Sequence, residues 1–332
     1  MIETLNIPYY KTRNGARYQS IPLSYQVFGQ PIGEAPIVLV NHALTGNSNV
    51  TGANGWWRQI IGENQIIDTA NYTVLSFNVP GNGYDGFVIE NYKDFEIYDI
   101  TKLFLKGLEI LKIKSLFAVI GGSLGGCIAW QMAVLRPKLI EHLIPIASDW
   151  KATDWLIAQC RVQKQILNNS ITPIEDARAH AMTFYRTPQS LSSKFNRSIN
   201  ENLYLYNVES WLLHHGERLS KRFKLASYKL LNHLLTTHNI ARETGNFLAS
   251  VKEIESDIHL VGIDTDGFYV NSEIVTAYEV LQLVKSNVSY YKIASIHGHD
   301  AFLIEYNQLR KILAMVFNNK TIKKQKYEYA NT

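Results

Sequence analysis

A chain of 332 residues, 46% apolar and 19% charged, has enough apolar material for one large core, or for a core that carries an insertion. Its formal charge of +4 is small and dispersed, which argues against a nucleic-acid partner, and two cysteines, Cys127 and Cys160, are too few for a disulfide framework. No apolar run approaches the ~18 residues of a spanning helix, and no basic stretch followed by an apolar one opens the chain, so no membrane association and a cytoplasmic location are expected.

From Thr4 to Gln30 the pattern alternates, with Ile21, Leu23, Tyr25 and Val27 on one face, and predicts an antiparallel opening hairpin. The run from Ala35 to Leu44 is a buried strand ending in the polar pair Asn41 and His42, for which the plainer role is to satisfy loop backbone groups. A second buried strand covers 71–80 and runs into the turn-rich loop 81–86. Ile97, Ile100, Leu103, Phe104, Leu108 and Leu111 then define the apolar face of a helix over 94–112. Strands follow at 116–120 and 142–148. From Asp149 to Val251 the strand rhythm stops and the pattern becomes helical, as in an inserted cap. Strands resume at 257–264 and 288–295, with helices predicted at 273–286 and 301–318. The expected layout is an α/β core of 1–148 and 252–320 with a mostly parallel sheet and helices on both faces, a helical cap of 149–251, and a basic polar tail, 321–332.

The chemistry gathers at Gly121-Gly-Ser123-Leu-Gly125, a G-x-S-x-G between the apolar strand and a helix that Pro137 stops. That strand–turn–helix setting makes the motif a nucleophile elbow, with Ser123 at its apex and free helix N–H groups beneath it. A serine nucleophile needs a base and a carboxylate to orient the base, in the chain order Ser, Asp or Glu, His. Asp264 and Asp266 follow one strand, and His297 and His299 follow the next, both at carboxyl ends on the edge that carries Ser123. The residues alone leave the choice within each pair open. Cys127, one turn into the elbow helix, reads as core filling.

Asn41-His-Ala-Leu-Thr-Gly46, Gly55-Trp-Trp57, Ile120-Gly-Gly-Ser-Leu-Gly-Gly126, Val208-Glu-Ser-Trp-Leu-Leu-His-His-Gly216, Lys221-Arg-Phe223 and Gly298-His-Asp-Ala-Phe-Leu303 together resemble the homoserine O-acetyltransferase family of α/β-hydrolase-fold enzymes. The resemblance implies Asp266 as the acid of the triad, His299 as its base, and the backbone N–H groups of Leu44 and Leu124 as oxyanion donors. It implies acetyl-CoA as co-substrate, L-homoserine as acceptor, no metal, no bound cofactor, and a homodimer associating through the cap. It also implies that Asp300 holds the acceptor's ammonium, where the plainer alternative is a cap on the helix predicted from Ala301.

Two segments depart from the family. The loop Val79-Pro-Gly-Asn-Gly-Tyr-Asp-Gly-Phe87 stands where the family carries Gly-Gly-Cys and then Gly-Ser-Thr-Gly-Pro, and the segment up to Phe95 is shorter than in the family. At the family's substrate-carboxylate arginine stands Lys164, with Arg161 three residues before it, and lysine keeps the charge without the bidentate fork. The alternative for Lys164 is a solvated helix lysine. A related acyltransferase using succinyl-CoA or another acceptor such as serine, or an esterase, would share the same motifs, and a scaffold without catalysis is the remaining reading.

Overall fold

The computed structural model describes residues 1–318. The predicted tail, 321–332, lies outside the described residues. Eight strands form one sheet: β1 (Glu3–Lys11), β2 (Arg17–Gly29), β3 (Ile37–Asn41), β4 (Thr73–Phe77), β5 (Leu116–Gly122), β6 (Ile140–Ile146), β7 (Asp257–Ile263) and β8 (Val288–Ile293). Their order is β1-β2-β4-β3-β5-β6-β7-β8, antiparallel at β1–β2 and β2–β4 and parallel everywhere else. The opening hairpin therefore forms as its alternation predicts, pairing Ile7 with Ile21 and Leu5 with Leu23. β3 and β4 are buried at every position, the state of a strand covered on both faces.

Alternate residues of the parallel strands feed two cores. Leu39, Leu75, Val119 and Leu143 pack with α1 (Ile97–Ile110) and α2 (Leu124–Leu135) on one face. Val38, Val74, Ile120 and Ile144 pack with the C-terminal helix, α10 (Tyr306–Phe317), on the other. All residues of α2 from Leu124 to Ala133 are buried, so this helix is enclosed on every side rather than amphipathic.

Between β6 and β7 the chain forms six helices: α3 (Asp154–Asn169), α4 (Pro173–Tyr185), α5 (Pro188–Phe195), α6 (Asn207–Ser220), α7 (Leu225–Thr237) and α8 (Phe247–Val251). Local signals set their starts: Thr153 accepts from the Leu156 N–H at 3.2 Å, and Pro173 and Pro188 occupy first-turn positions where a missing N–H costs nothing. A two-residue hairpin, Ile199–Asn200 with Leu205–Tyr206, interrupts them where no strand was expected. After β7 comes α9 (Asn271–Gln282), a few residues shorter than the predicted 273–286 at its C-terminal end. Among the described residues no helix is long and apolar enough to cross a membrane.

Two boundaries differ from expectation for identifiable reasons. α1 begins at Ile97, not Asp94, because the buried Asp99 accepts from the Glu96 N–H at 2.9 Å and fixes the cap there. The final helix does not begin at Ala301. Gly298–Leu303 is a 3₁₀ turn, the chain breaks near Ile304, and α10 starts at Tyr306.

Candidate active site

Ser123 leaves β5 and enters α2 with φ +56° and ψ −123°, outside the common regions for a side-chain-bearing residue. Such a conformation costs on the order of 1–3 kcal/mol and is held by its surroundings. Here its N–H donates to Ile146 O at 2.9 Å, and its carbonyl accepts from Gly126 and Cys127 at 2.9 and 3.2 Å. The side chain does not cap α2, and the residue is 4% exposed.

The two candidate acids separate cleanly. Asp264 is exposed and accepts from the Ser295 N–H at 3.0 Å. Asp266 is buried, and its Oδ1 accepts from the Phe268 and Tyr269 N–H groups at 2.7 and 2.9 Å. Its Oδ2 lies 2.7 Å from Nδ1 of His299. With the carboxylate as acceptor, Nδ1 carries the proton and Nε2 is the free acceptor. The two histidines separate as well: Nδ1 of His297 accepts from Arg186 and meets the Ser190 hydroxyl, both at 3.0 Å, whereas His299 lies among the rings of Tyr185, Phe268, Tyr269 and Phe302 at 5.3–5.8 Å. Gly298 makes this presentation possible. It has φ +65°, and a Cβ there would fall 2.7 Å from Tyr185 O at the end of α4.

The backbone donors lie on two segments tied together. Nδ2 of Asn41, at the end of β3, donates to Gly125 O at 3.3 Å, so the β3 loop is seated on the elbow. Among the described residues neither the Leu44 nor the Leu124 N–H has an acceptor, although Leu44 is 6% and Leu124 0% exposed. His42 is a framework residue. It donates from Nδ1 to Ala43 O at 2.8 Å and accepts at Nε2 from the Val79 N–H at 3.0 Å, and burial holds its pKa down at about 4. Cys127 is also framework, with Sγ 3.0 Å from the Tyr269 hydroxyl and its thiol pushed up to about 12 by burial.

Asp300 adds a charge to this cleft. It sits inside the 3₁₀ turn, so it is not the cap of α10, whose N-cap position is Glu305. Half-buried, it has no hydrogen-bond or ion-pair partner within bonding distance among the described residues. Burial pushes its carboxyl above the ordinary carboxylate range, opposed by the charges of Arg178, His299 and Arg186. Arg178, on α4, also lies over the Tyr185 ring at 5.8 Å. Arg222 comes from the segment after α6 and donates from Nη1 to Thr45 O at 3.0 Å, beside the Leu44 donor. Desolvation and the nearby charges of Arg178 and Arg218 lower its pKa. The carboxylate of Asp300 and the guanidinium groups of Arg178, Arg186 and Arg222 thus lie close enough for their charges to act on one another.

Lys164 does not join them. It lies on α3 in a groove with Tyr92, His233 and Lys229, and Asp300 does not figure among the charges around it. The structure thus groups Lys164 with Tyr92, His233 and Lys229 rather than with Asp300. α3 packs its Gln163 side inward, where Nε2 donates to Ala177 O at 3.1 Å, which turns the next residue toward α7. The residues missed in the sequence are Arg178 and Arg222. Arg222 lay within a quoted motif, but nothing local to Arg178 distinguishes it from a solvated helix arginine. Among the described residues no three His, Cys, Asp or Glu side chains converge as metal ligands.

Residues 36–240 match the family model of the α/β-hydrolase fold. The homoserine O-acetyltransferase of Salinibacter ruber is 30% identical over 347 residues, which cover 95% of this chain and 97% of that protein. The chain belongs to the homoserine O-acetyltransferase family. The fold agrees with this membership: the homoserine O-acetyltransferase of Bacillus anthracis superposes with a TM-score of 0.85 at 19% identity, over 96% of this chain and 97% of that one. Esterase E22 superposes equally well, at 0.84 and 17% identity over 96% and 100%. At these identities the superpositions establish the α/β-hydrolase fold alone.

Proposed function

We propose that this chain transfers an acetyl group from acetyl-CoA to the hydroxyl of L-homoserine through an acetyl-serine intermediate. The observation that carries this reading is the buried Asp266–His299 pair, presented by a turn packed on the elbow of Ser123, with two unpaired backbone donors and charges of both signs nearby. Ser123 Oγ attacks the thioester carbonyl and its proton passes to Nε2 of His299. Asp266 holds Nδ1–H and stabilises the imidazolium. The N–H groups of Leu44 and Leu124 take the oxyanion, a contribution of about 10²–10³ in rate per donor. The C–S bond breaks, and the thiolate leaves with the His299 proton. The homoserine hydroxyl then gives its proton to His299 and attacks the acetyl-serine, and collapse returns that proton to Ser123. Asp300 pairs with the acceptor's ammonium, and Arg178 and Arg222 face its carboxylate, a division that a simple esterase does not need.

The same reading makes 149–251 a cap over a core formed by 1–148 and 252–320, and makes the protein a cytoplasmic homodimer that associates through this cap. Ile199, Leu203, Tyr204 and Leu213 support that interface, because they leave 55–90% of their surface uncovered on the small hairpin and α6.

The test is free-thiol release from acetyl-CoA by the purified protein with and without L-homoserine. Release that requires homoserine, with an acetyl adduct on Ser123 when acetyl-CoA is given alone, is the expected result. Release at the same rate without homoserine makes the protein a hydrolase.

A further inference from the structure

We propose that the groove between α3, α7 and the 3₁₀ turn Tyr92–Asp94 binds the phosphate-bearing nucleotide end of the acyl-CoA donor through Arg161, Lys164 and Lys229. This rests on the acyl-CoA reading of the active site and names where that donor's charge is held.

The groove has two joined parts that share Tyr92 and Lys229. The inner part has a volume of about 190 Å³, and its floor is Cys160, Leu167 and Asn232. The outer part, about 470 Å³, runs along Gly86 and Val88 to Lys224 and Leu225. Together they offer space on the scale of a small-molecule site. The rim is one-sided in charge. Arg161, Lys164, Lys224 and Lys229 line it, and among the described residues none of the four has a carboxylate within ion-pair distance. Of the acids nearby, Asp94, on the 3₁₀ turn itself, accepts from the Tyr18 hydroxyl at 2.7 Å. Glu96 is engaged by Arg242 and Arg13, and Glu90 stands on the outer wall only. Like charges brought together without partners repel one another, and an anion with several charges removes that repulsion. The Tyr92 ring, edge-on to His233 at 5.6 Å, gives an aromatic surface beside the cations, suited to a purine.

The groove also lies in the right direction. Lys224 is two residues from Arg222, whose guanidinium bonds to Thr45 O in the oxyanion loop. A Cβ on Gly83 would fall 2.8 Å from Ser227 Oγ, so the 81–86 loop and the start of α7 touch and form one wall of the groove. An elongated donor with its thioester at Ser123 and its phosphates at Lys229 and Lys164 follows that wall. The loop that departs from the family pattern, Val79–Phe87, is part of it.

Calorimetry with adenosine 3′,5′-bisphosphate and with inorganic pyrophosphate reads the groove without turnover. The bisphosphate should bind wild type, and Lys164→Glu with Lys229→Glu should weaken it at least tenfold. The same double variant should raise KM for acetyl-CoA by a similar factor and change KM for S-acetyl-N-acetylcysteamine, a thioester without phosphates, less than twofold. Equal losses for both donors, or no loss for either, overturn the assignment, and so does pyrophosphate binding as tightly as the bisphosphate. Bisphosphate binding by a protein that releases no thiol from acetyl-CoA would remove the acyltransferase reading and leave the groove a nucleotide site. Turnover of acetyl-CoA without bisphosphate binding would do the reverse.

Discussion

Asp264 and Asp266 stand two residues apart on one loop, yet only Asp266 is buried and reaches His299, while Asp264 faces solvent and ties down Ser295. Asp266→Asn therefore removes the charge opposite the imidazolium and favours the wrong tautomer, and should cost on the order of 10⁴ in kcat. Asp264→Asn should cost less than tenfold. Steady-state rates of the two variants check the ranking, and the reverse order would move the triad to Asp264. Asp300 gives a second test, with a pH dependence of known sign. Its carboxyl is raised above the ordinary range by burial, so it takes up a proton at a higher pH than a surface aspartate does. A protonated Asp300 cannot pair with an ammonium. KM for homoserine should thus rise as pH falls, beginning above the usual carboxylate range of about 4. Asp300→Asn should raise KM about ten- to a hundredfold, the value of a lost charge-assisted bond, and flatten that dependence. Hydrolysis of a small acetate ester should be nearly unchanged, and equal losses in both assays would assign Asp300 to the triad instead.

At the scale of elements, the 3₁₀ turn 298–303 is held against the elbow. A Cβ on Gly122 would fall 2.5–2.9 Å from the Phe302 ring, which itself lies 5.7 Å from His299. Gly122→Ala must therefore displace the turn that presents the base. Overpacking of this kind costs about 1–3 kcal/mol, and a misplacement of about 1 Å in a reacting group can cost 10²-fold in rate. We expect a fall of a few degrees in Tm with a kcat loss of ten- to a hundredfold, and partial recovery of kcat when Phe302→Leu is added. A Tm loss with unchanged kcat would show that the turn does not position His299. This element also marks how far the sequence can be read. The strands, the elbow and the order of the triad follow from hydropathy and glycine placement, which are local. The 3₁₀ break before α10 is not local, because Glu305 and Ile304 carry no strong helix-stopping signal. It comes from packing Phe302 beneath Trp57 and the elbow. The surroundings of Lys164 have the same origin. Motif spacing gives its place along α3, but the side that faces the cleft is set by α4 and α7 packing on that helix. Arg178 belongs to α4, and its charge acts on Asp300 across 122 residues of chain, a relation that no window of sequence contains.

For the whole molecule, the helical region leaves an apolar surface that the other described residues do not cover. Tyr204 is 90% exposed, Leu213 60% and Leu203 55%, in a region where helices otherwise bury apolar faces against one another. Scattered exposed apolar residues are ordinary, but here they fall on the small hairpin and on α6, which pack together. Those elements lie in the chain segment between α5 and α7, and α6 packs on α4, the helix that supplies Arg178. An interface formed there would brace the wall of the cleft that faces Asp300. Leu213→Asp with Tyr204→Asp places two charges in the middle of any such contact and removes its apolar anchors. Sedimentation should then change from dimer to monomer, while the isolated fold keeps its far-ultraviolet circular dichroism. Because Arg178 loses its bracing and the triad does not, the monomer should show a raised KM for homoserine with ester hydrolysis close to wild type. A wild-type protein that sediments as a monomer, or a double variant that remains dimeric, would place the association elsewhere. A monomeric variant that loses ester hydrolysis and acceptor binding in equal proportion would show that the interface supports the whole site rather than the wall that α4 forms.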